Sequence, residues 1–483
     1  MIWSQIELRM SSYKKVLKNL GILTIGQFSS KILIFLLVPL YTSILSTEEY
    51  GIYDFIYTTV NLIMPILTLN ISVSSQRFLL QKDADSNSAV KISIKYTAIG
   101  IICALAILVL NSILGISILF KDSALYFALL FVVISINAIL TEIAIGSERI
   151  KNVAISGVIS TFATVVLNVL FLLVINLRLT GYFIATIVGL GLQTIYLLYS
   201  LSIIKVLLKK DKVSKQVEKD MLRYSCPQIA NTISWWINNA SDRYILVFFC
   251  GVATNGIYSV AYKIPAILNM LGGIFSQATG ITVVKNFDPE DKDGFFSNTY
   301  NIYCGFLVVT CSAIICVIKV IAKLLFAKEF YIAWQYTPML IIASLFGALA
   351  GYLGGAFSAK YASKEFAIST MVGAAVNVLL NFILIPFMRA MGAAIATMVS
   401  YVVIWAFRMK KSNDYVRLKI NFKRDVMAFV ILLLQSIVLY YGILDGLGMY
   451  VVEMVFVIIE VMLYQEEIIK VLIPMVNRIR KVE

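Results

Sequence analysis

In the apolar run IGQFSSKILIFLLVPLYTSIL, residues 25–45, a lysine stands near the middle. A cation in such a place binds an anion or pairs with a carboxylate, because leaving it alone in hydrocarbon costs on the order of 3 kcal/mol. Lys31 lies roughly eleven residues into its apolar stretch, about 16 Å at 1.5 Å per helical residue, too deep for its side chain to reach either surface. Arg243 and Lys263 stand in later apolar runs, and Arg77 closes another. Carboxylates in such runs are few: Asp54, Glu142, Asp242, Glu453 and Glu460. A balance tilted toward cations favours an anionic ligand. Histidine is absent, which removes the commonest general base and metal ligand.

Polar residues accompany these charges at helical spacing. Asp54, Tyr57, Asn61, Pro65, Thr68, Ser72 and Ser75 recur every three or four residues, and so do Gln228, Asn231, Trp235, Asn238 and Asp242. Shorter stripes are Thr24, Gln27 and Lys31, and Asn269, Gly273 and Ser276. Residues so spaced share one face of a helix. Polar groups turned to lipid are costly, so these faces should look at protein or at water. Packing between helices also employs Ser, Thr and Asn. Matching stripes in two parts of the chain favour a cavity lined by the first, second, seventh and eighth apolar segments.

The elements that must carry these stripes follow from composition. Of 483 residues 60% are hydrophobic and 14% charged, and mean hydropathy is +0.87; ordinary soluble domains are about a quarter charged. Apolar segments of about 20 residues, the length that spans a bilayer as helix, recur from Leu20 to Leu472. The reading is an all-α integral membrane protein with about fourteen spans. The longest polar breaks are too short for a soluble catalytic domain. The six cysteines show no CxxC spacing and read as small core residues; no metal or other cofactor is expected.

Most of the 41 lysines and arginines fall in alternate breaks on the N-terminal side of the spans, whereas Lys121, Arg178, Lys319, Lys323, Lys328 and Arg389 fall on the other. By the positive-inside rule both termini should be cytoplasmic. The net charge of +14 then faces lipid headgroups, and nucleic acid is not expected as a partner. GALAGYLGG, residues 347–355, spaces Gly347, Gly351 and Gly355 for close helix contact.

An internal repeat organises the chain. GIYDFIY at Gly51 returns as GIYSVAY at Gly256, KNVAISG at Lys151 as KEFAIST at Lys364, Asn168 as Asn381, and GYFIATIVG at Gly181 as GAAIATMVS at Gly392. Two six-span lobes of parallel topology follow, 1–204 and 224–412. They are joined by a cytoplasmic linker, 205–223, and followed by two additional spans and a basic tail, 413–483. This is transporter architecture, with two lobes around a central cavity that opens to alternate sides.

LVPLYTSILSTEEYGIYDF from Leu37, NNASDRYIL from Asn238, GIYSVAYKI from Gly256 and LLFAKEFYIAWQYTPML from Leu324 resemble the Wzx-type polysaccharide repeat-unit flippases of bacterial O-antigen and capsule assembly. These share a superfamily with multidrug exporters and lipid II flippases. The resemblance implies a non-enzymatic carrier, in the bacterial inner membrane, of an oligosaccharide on undecaprenyl diphosphate. Membrane lipids and the polysaccharide polymerase machinery would be its partners. Under that reading the diphosphate meets Lys31 first, then Arg77, Lys263 and Arg243; Gln27, Asn61, Asn231 and Asn238 meet sugar hydroxyls; and Asp242 and Asp54 are candidates for ion coupling. A drug/cation antiporter of the same superfamily and a membrane-embedded polymerase or ligase are the alternatives. The first lacks a central carboxylate cluster, and the second lacks a sizeable outer loop.

Overall fold

The computed structural model describes residues 33, 35–81, 85–115, 123–270, 272–273, 275, 288–359, 363–442 and 446–470. Lys31, Gln27, Thr24 and Ser276 lie outside the described residues. The regular elements among those described are all helical, and they group into two compact units, Met1–Trp236 and Ile237–Glu483.

The first unit opens with α1, Val38–Ile44, which has Pro39 in its first turn, where the missing N–H costs nothing. α2, Thr47–Leu67, starts at a capping box: the Ser46 hydroxyl accepts from the Glu49 amide at 3.1 Å, and the Ser46 amide donates to the Glu49 carboxylate at 2.8 Å. The sequence reads on as one span through Ser75, but the helix breaks after Leu67. It resumes as α3, Ile71–Leu79, bent by 63°. Pro65 removes a donor one turn earlier, and Leu69 and Asn70 adopt φ of 52° and 50°, outside helical geometry. α4, Ser86–Leu114, packs against the break, and a Cβ on its Gly100 would come within 2.9 Å of the Leu67 carbonyl oxygen. α5, Ala124–Gly146, and α6, Ile150–Asn168, follow; α6 continues as a wide π turn, Val169–Val174, before α7, Arg178–Ser200. Ile56, Val60, Phe127, Phe131 and Phe183 form one apolar core, and Ile71, Ile92, Leu140, Leu197 and Met221 another.

The polar linker is held down. After α8, Ile203–Leu208, Lys91 donates to the Lys209 and Asp211 carbonyls at 2.5 and 3.2 Å, and the Ser214 amide donates to the Ser88 hydroxyl at 3.1 Å. Glu218 accepts from Lys95 and Tyr96, both at 2.8 Å. Those two hydrogen bonds, the Lys95 one foremost, hold its carboxyl below the ordinary value of 4.5. α9, Lys215–Cys250, is a continuous helix.

The second unit contains α10, Val252–Ala261; α11, Phe295–Cys316; α12, Ile318–Leu325; a 3-10 stretch, Lys328–Gln335; α13, Thr337–Ala359; α14, Ser363–Ser412; α15, Phe422–Tyr441; and α16, Leu447–Leu463. α14 is two helices meeting at a kink where Arg389 has φ 50°. The first unit makes the corresponding turn with Arg178 at φ 47°. Each arginine stands three residues before a glycine of the repeat, Gly181 or Gly392, where a Cβ would collide with the preceding helix.

Among the described residues seven helices are long and apolar enough to cross a membrane, or eight counting the bent pair α2 and α3. The kinked α14 counts once in that number, and other expected spans fall short of the test or lie partly outside the described residues. α9 carries its polar stripe within the apolar run, and α16 has 17 residues. α13 makes its close contacts through Gly347, against Tyr401, and Gly354, against Phe366 and Arg408, while space is open at Gly351. The contact face is therefore set by the bulky neighbours and not by four-residue glycine spacing.

Candidate functional site

In the first unit a seam joins α2 and α3 to the first half of α9. The Trp236 indole donates to the Thr58 carbonyl at 3.3 Å, the Asn70 amide donates to the Thr232 hydroxyl at 3.0 Å, and the Arg77 guanidinium lies 4.2 Å over the Tyr224 ring. Residue numbers rise along one strand of the seam as they fall along the other, so the packing is antiparallel. The break after Leu67 frees Asn70 to make its contact, and the bend carries Arg77 out of line with α2. Along this seam Tyr57, Arg77 and Asn231 are exposed and Asn61 is half-buried, its amide returned to the Tyr57 carbonyl at 2.7 Å. Polar and cationic groups thus remain accessible on helices whose other faces are apolar.

Asp54 is buried in α2. Tyr41, Tyr53 and Tyr182 stand within its electrostatic reach. Their rings interlock with Tyr50: Tyr41 stacks on Tyr50 at 4.7 Å, and Tyr53 meets Tyr182 edge-on at 4.5 Å. Such aromatic pairs stabilise by about 0.5–1.5 kcal/mol beyond the area they bury.

The second unit holds a denser polar nest around Asp242, which is 2% exposed. One carboxylate oxygen accepts from the Tyr258 hydroxyl at 2.6 Å, Tyr262 at 3.1 Å and Thr397 at 3.4 Å; the other accepts the Arg243 amide at 2.9 Å. Thr397 also accepts from Asn377 at 3.4 Å, and the Asn377 carbonyl oxygen accepts from Ser241 at 3.1 Å and Asn381 at 2.9 Å. The repeat explains part of this. Tyr258 corresponds to Tyr53 and Thr397 to Thr186, and in the first unit those two hydroxyls meet at 3.3 Å. In the second unit a carboxylate, Asp242, accepts from both hydroxyls of the pair. Its oxygen set of carboxylate, hydroxyls and amides is the chemistry that holds a proton or a small hard cation.

The Arg243 guanidinium lies 5.7 Å from the Tyr262 ring, and Lys263, half-buried, follows in the turn after α10. Asn238 is buried, and its amide donates to the Thr370 carbonyl on α14 at 3.1 Å, so it joins helices together. Arg408 opens the polar break that follows the repeat. It is 2% exposed, donates to Ser369 at 2.9 Å, to the Ala350 carbonyl at 2.8 Å and to Thr370 at 3.0 Å, and lies 4.0 Å over Phe366. Its signal was the pair Ser369 and Thr370 in the repeated KEFAIST. Among the described residues no group of three or more Asp, Glu, Cys or His side chains is placed to hold a metal ion.

The family described as polysaccharide biosynthesis protein matches residues 16–281. An uncharacterized membrane protein of Methanocaldococcus jannaschii, MJ1375, is 24% identical over 392 residues, 75% of this chain and 89% of that protein. The probable low-salt glycan biosynthesis flippase Agl15 of Haloferax volcanii is 23% identical over 256 residues, 51% of this chain and 53% of that one. Among solved structures, the lipid II flippase MurJ in an inward closed conformation superposes with a TM-score of 0.64 at 15% identity, covering 93% of this chain and 99% of MurJ. An inward-facing multidrug resistance MATE family transporter of the MOP superfamily gives 0.63 at 15% identity, covering 81% and 98%. The fold is that of MurJ and the MATE transporters, and the chain belongs to the polysaccharide biosynthesis protein family of multi-pass membrane proteins.

Proposed function

We propose that the protein is a flippase that moves an oligosaccharide linked to undecaprenyl diphosphate from the cytoplasmic to the outer leaflet for surface polysaccharide assembly. It works by alternating access through a cationic cavity in the bacterial inner membrane, with both termini cytoplasmic. The observation that carries the reading is the accessible seam of Tyr57, Asn61, Arg77 and Asn231 on the apolar helices of a polysaccharide biosynthesis family member. Polar groups at membrane depth mark a path for substrate or water. The diphosphate is drawn to Lys31 and Arg77, and in the second unit to Arg243 and Lys263, by charge-assisted hydrogen bonds. Asn61, Asn231 and Gln27 serve sugar hydroxyls. Asp242, with Asp54 in the first unit, is assigned the coupling ion, because a buried carboxylate ringed by hydroxyls changes its pairing when a cation or proton arrives.

The test is complementation of a bacterium that lacks its own repeat-unit flippase, scored by surface polysaccharide at matched membrane levels. Wild type and Lys31→Arg should restore polymer, while Lys31→Ala and Arg77→Ala should not. If Lys31→Ala and Arg77→Ala both match wild type, the cationic path is wrong. If wild type instead protects the cells from cationic drugs and restores no polymer, the antiporter reading replaces this one.

A further inference from the structure

α16 is built inside out. Its sequence, LGMYVVEMVFVIIEVML, is apolar apart from two glutamates seven residues apart, a spacing that returns to nearly the same helical face. The buried positions of α16 are Met449, Glu453 and Glu460. Val451, Met454, Val455, Ile458 and Met462 are exposed. Both glutamates are 0% exposed; neither oxygen of Glu460 has a hydrogen-bond partner among the described residues, and Glu453 has the Gln435 amide as its neighbouring polar group.

An ionised carboxylate in that position would cost far more than the helix gains by packing, so each group holds a proton. Among the described residues the neighbours offer Glu460 no counter-charge, and offer Glu453 the Lys319 ammonium, which rests on Met449 and Trp334. Glu460 faces Cys304 and Cys311 of α11. Thiols and apolar side chains do not supply the six or more oxygens that a hard metal cation requires. The charged groups beyond Glu460 already have partners: Arg424 pairs with Asp425 at 3.0 Å and with Glu467, and the Tyr464 hydroxyl donates to Asp425 at 2.9 Å. Glu453 faces Cys316 of α11, Gln435 of α15 and Lys319 of α12. Gln435 is engaged with Ser312, accepting from its hydroxyl at 2.8 Å and donating to its carbonyl at 3.1 Å. The Lys319 ammonium rests 3.2 Å from the Met449 sulfur and 4.6 Å over the Trp334 ring, one turn from Glu453. Lys319 and Met449 also line an open cleft with Lys323, Tyr331 and Tyr450.

We propose that Glu453 and Glu460 are a membrane-buried proton-binding site on the inward face of α16, loaded through the Lys319 cleft. Both glutamates lie on α16, outside the internal repeat, and the site is independent of what the protein carries. It gives the added helices a task besides packing: a proton taken up at Glu453 or Glu460 lets α16 stay against α11, and its loss drives the two apart.

Dicyclohexylcarbodiimide tests this on the full-length protein in liposomes, because the reagent consumes the carboxyl proton as it forms its adduct and reacts where water is scarce. Peptide mass spectrometry should find adducts on Glu453 and on Glu460, with yields that fall as pH rises. The infrared carbonyl band of protonated carboxyls should shift in D2O and diminish in Glu453→Gln and in Glu460→Gln. Both variants are isosteric with the protonated acid and should fold. Absence of both adducts together with a carbonyl band unchanged in the variants would show ionised carboxylates and overturn the proposal. Adducts whose yield ignores pH, with a band that does not shift in D2O, would overturn it too, by showing carboxyls that never exchange their protons.

Discussion

The Tyr258 hydroxyl donates to the buried Asp242 carboxylate at 2.6 Å across 16 residues of sequence. A hydrogen bond to a charged acceptor contributes about 1.5–3 kcal/mol. Tyr258→Phe should therefore lower the thermal midpoint of the purified protein, and Tyr53→Phe, whose partner is the neutral Thr186, should lower it less. A differential scanning measurement in one detergent decides; equal effects would mean that Asp242 does not draw on Tyr258.

Arg408 is a buried guanidinium whose donors reach Ser369, Thr370 and the Ala350 carbonyl. Lysine keeps the charge but not the planar fork. Arg408→Lys should destabilise by about 2–3 kcal/mol, since two or more acceptors lose their donors. Arg417→Lys, at a position where the backbone amide makes the contact with Pro289, serves as the control and should be near neutral in the same unfolding assay.

Gly392 has no room for a methyl group: a Cβ there would stand 2.6 Å from the Leu384 carbonyl oxygen, a backbone atom that yields only if the helix moves. Gly392→Ala should cost about 1–3 kcal/mol. Gly191, with nothing within 4 Å of such a Cβ, should accept alanine without loss. Comparing folded yield and thermal midpoint of the two variants checks the assigned helix contact.

Glu218 is held below its ordinary value by Lys95 and Tyr96, so its contribution is present above pH 4.5 and is lost as pH falls through the lower folded value. The pair is largely solvated, which limits it to ~1 kcal/mol or less. Glu218→Gln should thus lower stability slightly at pH 7 and match wild type in strong acid. The readout is proteolysis of the 205–214 segment as a function of pH; a difference that persisted in acid would mean that the carboxylate's charge is not what ties the segment down.

Much of this was legible in the residues themselves. Hydropathy and the spacing of polar side chains are local properties, so they determined the membrane class, the helical elements, the stripes on α2 and α9 and the repeated segments that later proved to carry Tyr53 with Thr186 and Tyr258 with Thr397. Pairing is not local. The partners of Asp242 come from 1, 16, 20 and 155 residues away, and no periodicity in the chain encodes which hydroxyl reaches which oxygen. The 63° bend that separates Arg77 from Asn61 rests on two residues with positive φ that are not glycines, held there by the surrounding packing. A glutamate in an apolar helix reads alike whether it ends at a surface or is sealed against a neighbouring helix. Only the tertiary structure decided that Arg408, Glu453 and Glu460 are inside, because burial depends on what the rest of the chain places around them.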